Sequence, residues 1–223
     1  MSFEDIVVER VENWIEIQIN RQEKLNSLRE KTAGEILEAM ADAEHDRSIA
    51  AVILKGTEKA FCTGIDTSEF QIGDNEYFDF YRLRRRSRKV NSLFRELPNY
   101  TKPVITAIEG FALGGGLELA LVGDMIVAGE KAKLGLPEIK LGLMPGGGGT
   151  QTLPRLIGKP LAKELMWTGR RISATEAKEY RLVNHVTAAG GALEKAREIA
   201  RSIGENAPLS VMAGKESIMT AMS

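Results

Sequence analysis

Two glutamates stand where glutamates are uncommon. Glu118 lies inside an apolar run, Leu117-Glu118-Leu119-Ala120-Leu121-Val122, that is opened by Gly114-Gly115-Gly116. Glu138 follows Pro137 in the stretch Gly135-Leu136-Pro137-Glu138. A carboxylate in an otherwise apolar helix needs a partner or a task. Near a helix N-terminus it also gains from the helix dipole, so on this segment alone both readings of Glu118 stay open. Glu138 has the same two readings. It is a first-turn acid beside a proline suited to start a short helix, or it is the second member of a carboxylate pair. Two carboxylates in one site can remove one proton and deliver another.

Glycines surround these acids. Gly64, in Ala60-Phe61-Cys62-Thr63-Gly64-Ile65-Asp66, permits a turn that leaves backbone N–H groups free to face a ligand. Gly114 to Gly116 let a substrate come close to the main chain at a helix entrance, where the first N–H groups have no partner within the helix. That arrangement suits a reaction in which negative charge grows on an oxygen. A four-glycine run, Gly146 to Gly149, follows Met144-Pro145.

Other chemistries lack their residues. His45 and His185 do not have metal-ligand spacing with cysteines or carboxylates, so no metal is expected. His45, among Glu44, Asp46 and Arg47, reads as part of an exposed helix. Cys62 is the single cysteine, which excludes an internal disulfide, and no histidine pairs with it as a nucleophile would require. A phosphate loop of the Gly-x-x-x-x-Gly-Lys-Ser/Thr type and a dinucleotide fingerprint are both missing, which argues against ATP and NAD.

The elements that must position these residues follow from periodicity. Ile6 to Ile19 alternates as two strands about a turn at Glu12-Asn13, with Trp14, Glu16, Gln18 and Asn20 on one parity and Ile15, Ile17 and Ile19 on the other. Ser27 with Glu30 predicts a capped helix whose apolar face holds Leu28, Ile36, Leu37 and Met40. Ala50 to Leu54, Val104 to Ile108 and Met125 to Ala128 read as short buried strands. Helices are predicted near Gln151 to Ile157, Leu161 to Thr168, Ala192 to Ile203 and Leu209 to Met219, and Ser173-Ala174-Thr175-Glu176 is a helix start with a capping box. The glycine loops come after strand patterns, where α/β proteins usually place ligands. The alternation predicts an α/β fold with parallel or mixed sheets. Asp74 to Leu97 is polar and carries the basic run Arg82 to Lys89, read as a solvated helix face.

The 223 residues suffice for one domain or one domain with a small appendage. A net charge of -1 predicts no binding to nucleic acid or a membrane surface. The acidic start, Ser2-Phe3-Glu4-Asp5, does not read as a signal peptide, and no apolar run approaches the ~20 residues of a membrane helix. A cytoplasmic protein is the expectation.

Together the loops resemble one family, the crotonase or enoyl-CoA hydratase/isomerase superfamily. The resemblance runs from about Phe3 to Lys215. It is carried by Ala60 to Asp66, by Lys102 to Glu118, by Pro137 to Gln151 and by Thr168-Gly169-Arg170-Arg171-Ile172-Ser173-Ala174. It implies a spiral of ββα units over residues 1–190 with a shortened C-terminal helical segment over 191–223. It implies that the N–H groups of Ile65 and Gly115 bind a thioester carbonyl oxygen, which agrees with Gly115 opening a helix and Ile65 following Gly64. It further implies that Glu118 and Glu138 hold a water molecule and that Lys24, Leu25, Thr63, Ile65, Asp66, Thr67, Ser68, Gly114 and Gly115 line the passage of coenzyme A. Coenzyme A enters as part of the acyl-CoA substrate, and no permanently bound cofactor is implied. The reaction implied is hydration of a 2-enoyl-CoA. The alternatives are an isomerase or other lyase on the same scaffold, which usually needs only the carboxylate matching Glu138, or a silent CoA-binding member.

The chain also departs from the family pattern. Ser68 stands where a lysine is frequent, Thr152 where an arginine is frequent, and Ile65 where alanine is usual. Family members usually continue several tens of residues beyond the position of Lys215-Glu216-Ser217, with helices that build a trimer or a dimer of trimers. A homotrimer or hexamer is therefore the expected assembly.

Overall fold

Successive side chains of Trp14–Ile19 point into two different cores, because this strand is covered on both faces. The computed structural model describes residues 3–70 and 90–221. Strands β1 (Ile6–Val11) and β2 (Trp14–Ile19) form an antiparallel hairpin whose turn residue Glu12 has φ 50°. Strands β3 (Ala51–Lys55), β5 (Val104–Ile108), β7 (Met125–Gly129) and β10 (His185–Thr187) then add in parallel to β2. The sheet order is β1-β2-β3-β5-β7-β10.

A second sheet holds β4 (Ala60–Cys62), β6 (Phe111–Leu113), β8 (Lys133–Gly135) and β9 (Ile172–Ser173), in the order β4-β6-β8-β9. The two sheets are wound together. Chain segments β3–β4, β5–β6 and β7–β8 each place their first strand in one sheet and their second in the other. This repetition, with a helix such as α3 (Gly115–Leu121) after β5–β6, is the spiral of ββα units that the sequence resemblance implies. The second sheet was not legible as strands: its members are two or three residues long and sit in segments that read as loops.

One face of the large sheet takes Trp14, Ala51, Ile53, Ile105, Ala107 and Val127, and helix α7 (Ala192–Gly204) packs there through Ala192, Ala196 and Ala200. Alanine every fourth residue gives that helix a narrow, close-fitting stripe. Glu16 lies on this face, fully buried, and is paired with Lys55 at 2.7 Å and Arg197 at 2.7 Å. The polar parity of the second strand is thus an ion pair under a helix. The other face, with Ile15, Ile17, Ile19, Val52, Leu54, Val104 and Ile108, joins the main core with α1 (Glu30–His45).

Helix α1 begins at Glu30, and the residue before it is Arg29. The predicted cap at Ser27 is therefore displaced: Thr32 Oγ1 accepts from the Arg29 N–H at 3.3 Å. The helical stretch α2 covers residues 90–96, and the basic run Arg82 to Lys89 lies outside the described residues. Helices α3 (Gly115–Leu121), α4 (Gly149–Ile157), α5 (Lys159–Thr168), α6 (Ala174–Glu179) and α8 (Pro208–Ala221) complete the chain. The capping box of α6 forms as predicted, with Ser173 Oγ accepting from Glu176 N–H at 3.1 Å and Glu176 Oε2 accepting from Ser173 N–H at 2.8 Å. Helix α8 has no buried residue; Lys215 holds it to Asp124 at 2.7 Å. No helix of the described residues is long and apolar enough to cross a membrane.

Candidate active site

The two predicted N–H donors come from neighbouring turns. Strand β6 ends at Leu113, Gly114 turns the chain with φ 54° and ψ -130°, and α3 starts at Gly115. The Gly114 torsions lie outside the range of side-chain-bearing residues. On the other side, Gly64 (φ 105°) ends the turn after β4. Ile65 is then held between two hydrogen bonds to Leu28, from Leu28 N–H to Gly64 O at 2.7 Å and from Asp66 N–H to Leu28 O at 2.8 Å. The N–H groups of Ile65 and Gly115 donate to no described residue. A Cβ placed on Gly115 would lie 3.5 Å from the Ile65 nitrogen, and one on Gly64 would lie 3.4 Å from the Gly115 nitrogen. The two nitrogens therefore lie on adjoining turns.

Glu138 lies next to these turns. A Cβ on Gly114 would lie 3.1 Å from Glu138 Oε1 and 3.9 Å from Gly64 Cα, which puts the Glu138 carboxyl beside the glycine turns. Pro137 precedes the 3₁₀ turn Glu138–Leu141, so the proline starts this turn as its residue type suggests. Glu138 Oε2 is buried and has no hydrogen-bond partner among the described residues. Burial, opposed by its own backbone N–H and reinforced by the charge of Glu118, pushes Glu138 up to about 7. A carboxyl with that value exchanges its proton near neutral pH.

Glu118 sits in the first turn of α3 and is 1% exposed. Its Oε1 accepts from Gly147 N–H at 2.8 Å and from Gly149 N–H at 2.8 Å. Burial raises the Glu118 carboxyl, and these two amides work against that rise. The residue thus has partners in the two amides.

The residues expected along the CoA passage divide into two kinds. Thr63 Oγ1 donates to Leu25 O at 3.1 Å, so the Lys24–Leu25 loop and the Thr63–Ser68 loop meet. Lys24, Leu25, Thr67 and Ser68 are exposed beside that junction. Asp66 is 6% exposed and faces inward, where it accepts from Arg21 Nη2 at 2.8 Å and from Ser68 Oγ at 2.6 Å. Its side chain fastens the loop.

Three contributors carried no clear signal in the sequence. Arg21 is 8% exposed and also donates to Ser27 O at 2.6 Å. Asn26 is fully buried, accepts from Arg21 N–H at 2.9 Å and donates to Ala60 O at 2.7 Å. The Gly147 and Gly149 amides were visible as a glycine run without a role. An arginine and an asparagine in a short polar loop look solvated until tertiary contacts are known.

Cys62 is fully buried, and burial pushes its thiol up to about 12. It is no nucleophile at neutral pH. Among the described residues no group of three or more His, Cys, Asp or Glu side chains could hold a metal ion.

The family model for enoyl-CoA hydratase/isomerase matches residues 9–223. The chain belongs to the enoyl-CoA hydratase/isomerase family. This family member is 45% identical over 204 residues to the Bacillus subtilis protein YngF, named for an enoyl-CoA hydratase/isomerase, a match covering 91% of this chain and 76% of the relative. It is 38% identical over 223 residues to the short-chain-enoyl-CoA hydratase of Clostridium acetobutylicum, covering 100% of this chain and 84% of the relative. Among solved structures, an enoyl-CoA hydratase from Bacillus anthracis superposes with a TM-score of 0.90 at 42% identity, covering 96% of this chain and 82% of that one. The crotonase fold of this family member, and its kinship with enzymes that act on enoyl-CoA thioesters, rest on these likenesses together with the wound sheets.

Proposed function

We propose that the protein adds water reversibly across the double bond of a 2-enoyl-CoA, giving a 3-hydroxyacyl-CoA. The observation that carries this reading is the pair of N–H groups at Ile65 and Gly115, which donate to no described residue and lie on turns beside the Glu138 carboxyl, itself raised in part by the charge of Glu118. The thioester oxygen accepts from both donors. A water placed between the glutamates gives a proton to Glu118 while its oxygen bonds to the β-carbon. The displaced π electrons move onto the thioester oxygen as an enolate, which the two donors hold. Glu138, neutral below about 7, then gives its proton to the α-carbon as the carbonyl re-forms. Dehydration runs the same steps backward.

The CoA arm is assigned to the surface where Lys24, Leu25, Thr63, Ile65, Asp66, Thr67, Ser68, Gly114 and Gly115 meet, with Asp66 acting through its loop. No resident cofactor enters this reaction. A homotrimer or a dimer of trimers is the assembly this reading favours. The exposed apolar side chains of Leu141, Leu143, Met144 and Trp167 give it surface to bury, and light scattering checks it.

The test is loss of the enoyl-thioester absorbance of crotonyl-CoA on addition of purified protein. Glu118→Gln and Glu138→Gln should each depress this rate by about 10²–10⁴-fold while thioester binding stays nearly intact. Undiminished rates in both variants refute the assigned roles. Conversion of a 3-enoyl-CoA without hydration would instead make the protein an isomerase working through Glu138. Binding of CoA without either reaction would make it a silent member.

A further inference from the structure

The direction of the Ile65 N–H is set by a residue far away in the chain. Leu28 pairs with Ile65 as an isolated parallel bridge. Leu28 N–H donates to Gly64 O at 2.7 Å, and Asp66 N–H donates to Leu28 O at 2.8 Å. Along an extended chain the main-chain groups of successive residues point to alternate edges. When residues 64 and 66 face Leu28, Ile65 turns its own N–H the other way. Gly115 lies close to that nitrogen, since a Cβ on it would be 3.5 Å away. The aim of this donor therefore depends on where Leu28 lies.

Leu28 is placed by the loop before it. Arg21 to Ser27 contains a 3₁₀ turn at Gln22–Lys24 and then two consecutive residues in the left-handed region, Leu25 at φ 48° and Asn26 at φ 59°. That region is uncommon for leucine and easier for asparagine. Contacts elsewhere must hold such a shape. The Asn26 side chain is fully buried and supplies two of them. Its Oδ1 accepts from Arg21 N–H at 2.9 Å, across the loop. Its Nδ2 donates to Ala60 O at 2.7 Å, at the start of β4. One amide thus closes the loop on itself and fixes it to the strand that leads into the Ile65 turn.

We infer that Asn26 is a positioning residue for the Ile65 donor: its amide locks the loop of residues 21–28 onto β4, and the locked loop, through the Leu28 main chain, aims the Ile65 N–H at the thioester oxygen. This rests on the thioester-binding reading above and deepens it. Asn26 itself touches no reacting atom. Its loss acts on the strength of one hydrogen bond to the substrate carbonyl, which a merely stabilising side chain would leave alone.

The experiment reads that hydrogen bond on the full chain without turnover. Butyryl-CoA labelled with carbon-13 at the thioester carbon has no double bond to hydrate, and donors on its carbonyl lower the C=O stretching frequency in the infrared. Binding to wild type should shift the band down from its position in buffer. Asn26→Ala should lose a large part of that shift and lower kcat for crotonyl-CoA hydration about 10²-fold, the cost of a misplacement of roughly 1 Å. Asn26→Asp keeps the acceptor for Arg21 N–H and tolerates the left-handed region, but it has no N–H for Ala60 O. It should act in the same direction and serves if Asn26→Ala does not fold. Glu23→Ala, exposed in the same loop, should change neither kcat nor the band. A full carbonyl shift in the folded Asn26 variants, unchanged kcat, or an equal loss in Glu23→Ala overturns the inference. A wild-type protein that binds butyryl-CoA with no shift of the band overturns the thioester-binding reading instead.

Discussion

Arg21 Nη2 donates to Asp66 Oδ2 at 2.8 Å, with less than a tenth of either side chain exposed. This one pair ties the loop that carries Lys24 and Leu25 to the turn that carries the Ile65 N–H. Removing the carboxylate takes away one charged hydrogen bond of a buried guanidinium that keeps Ser27 O at 2.6 Å and Asp5 Oδ2 at 3.8 Å. Asp66→Ala should therefore cost about 1.5–3 kcal/mol of unfolding free energy, read from urea denaturation. Burial alone would raise the Asp66 carboxyl, but hydrogen bonds from Ser68 and Arg21 outweigh it and hold the group at about 2. Its contribution is thus fully present above about pH 4 and is lost as pH falls through about 2. Wild type should lose stability across that acid range more steeply than Asp66→Ala does.

Glu138 has the opposite sign. Its carboxyl is raised from 4.5 to about 7, chiefly by burial, so the folded protein holds that proton more tightly than the unfolded chain. The stability it contributes is present below about pH 4.5 and is lost as pH rises through about 7. Thermal melts of Glu138→Gln should therefore show a flatter profile between about pH 4.5 and pH 7, the window those two values bracket. Hydration, which needs neutral Glu138, should fall above about pH 7, while dehydration, which needs the ionised form, should fall below it. Initial rates in both directions decide this.

Gly115→Ala places a methyl carbon 3.3 Å from Ile65 Cγ1 and 3.5 Å from the Ile65 nitrogen, in the mouth of the donor pair. The backbone of Gly115 is not in the left-handed region, so the helix should still form. Hydration should fall by about 10²–10³-fold, the usual cost of losing one such donor. Unchanged thermal stability beside that loss would place the effect at the site.

Cys62 offers a probe of opening. Its buried thiol, pushed up to about 12, should not react with a thiol reagent at pH 8 while the chain is folded. Labelling should appear together with unfolding in denaturant. Rapid labelling of the native protein, with activity retained, would contradict the packing of β4 against α3.

Much of the frame was legible because long elements leave periodic traces. The two strands of residues 6–19, the buried strands that became β3, β5 and β7, and helices α4 to α8 all follow from spacing and capping, with the Ser173–Glu176 box as the clearest case. The second sheet left no such trace, since strands of two or three residues are too short to show a period. Ser27 failed as a cap because Arg21 binds its carbonyl in a loop that continues to Arg29.

The chain by itself determined the glycine turns, the types of the two acids and the family, because those depend on residue identity along a line. Whether Ile65 and Gly115 face one space depends on Leu28 bridging the first turn and β6 delivering the second, contacts between residues far apart in the chain. The orientation of Glu118 depends on amides about thirty positions away. A hydrogen bond of 2.8 Å is a statement about relative position in space, and only the folded backbone supplies that.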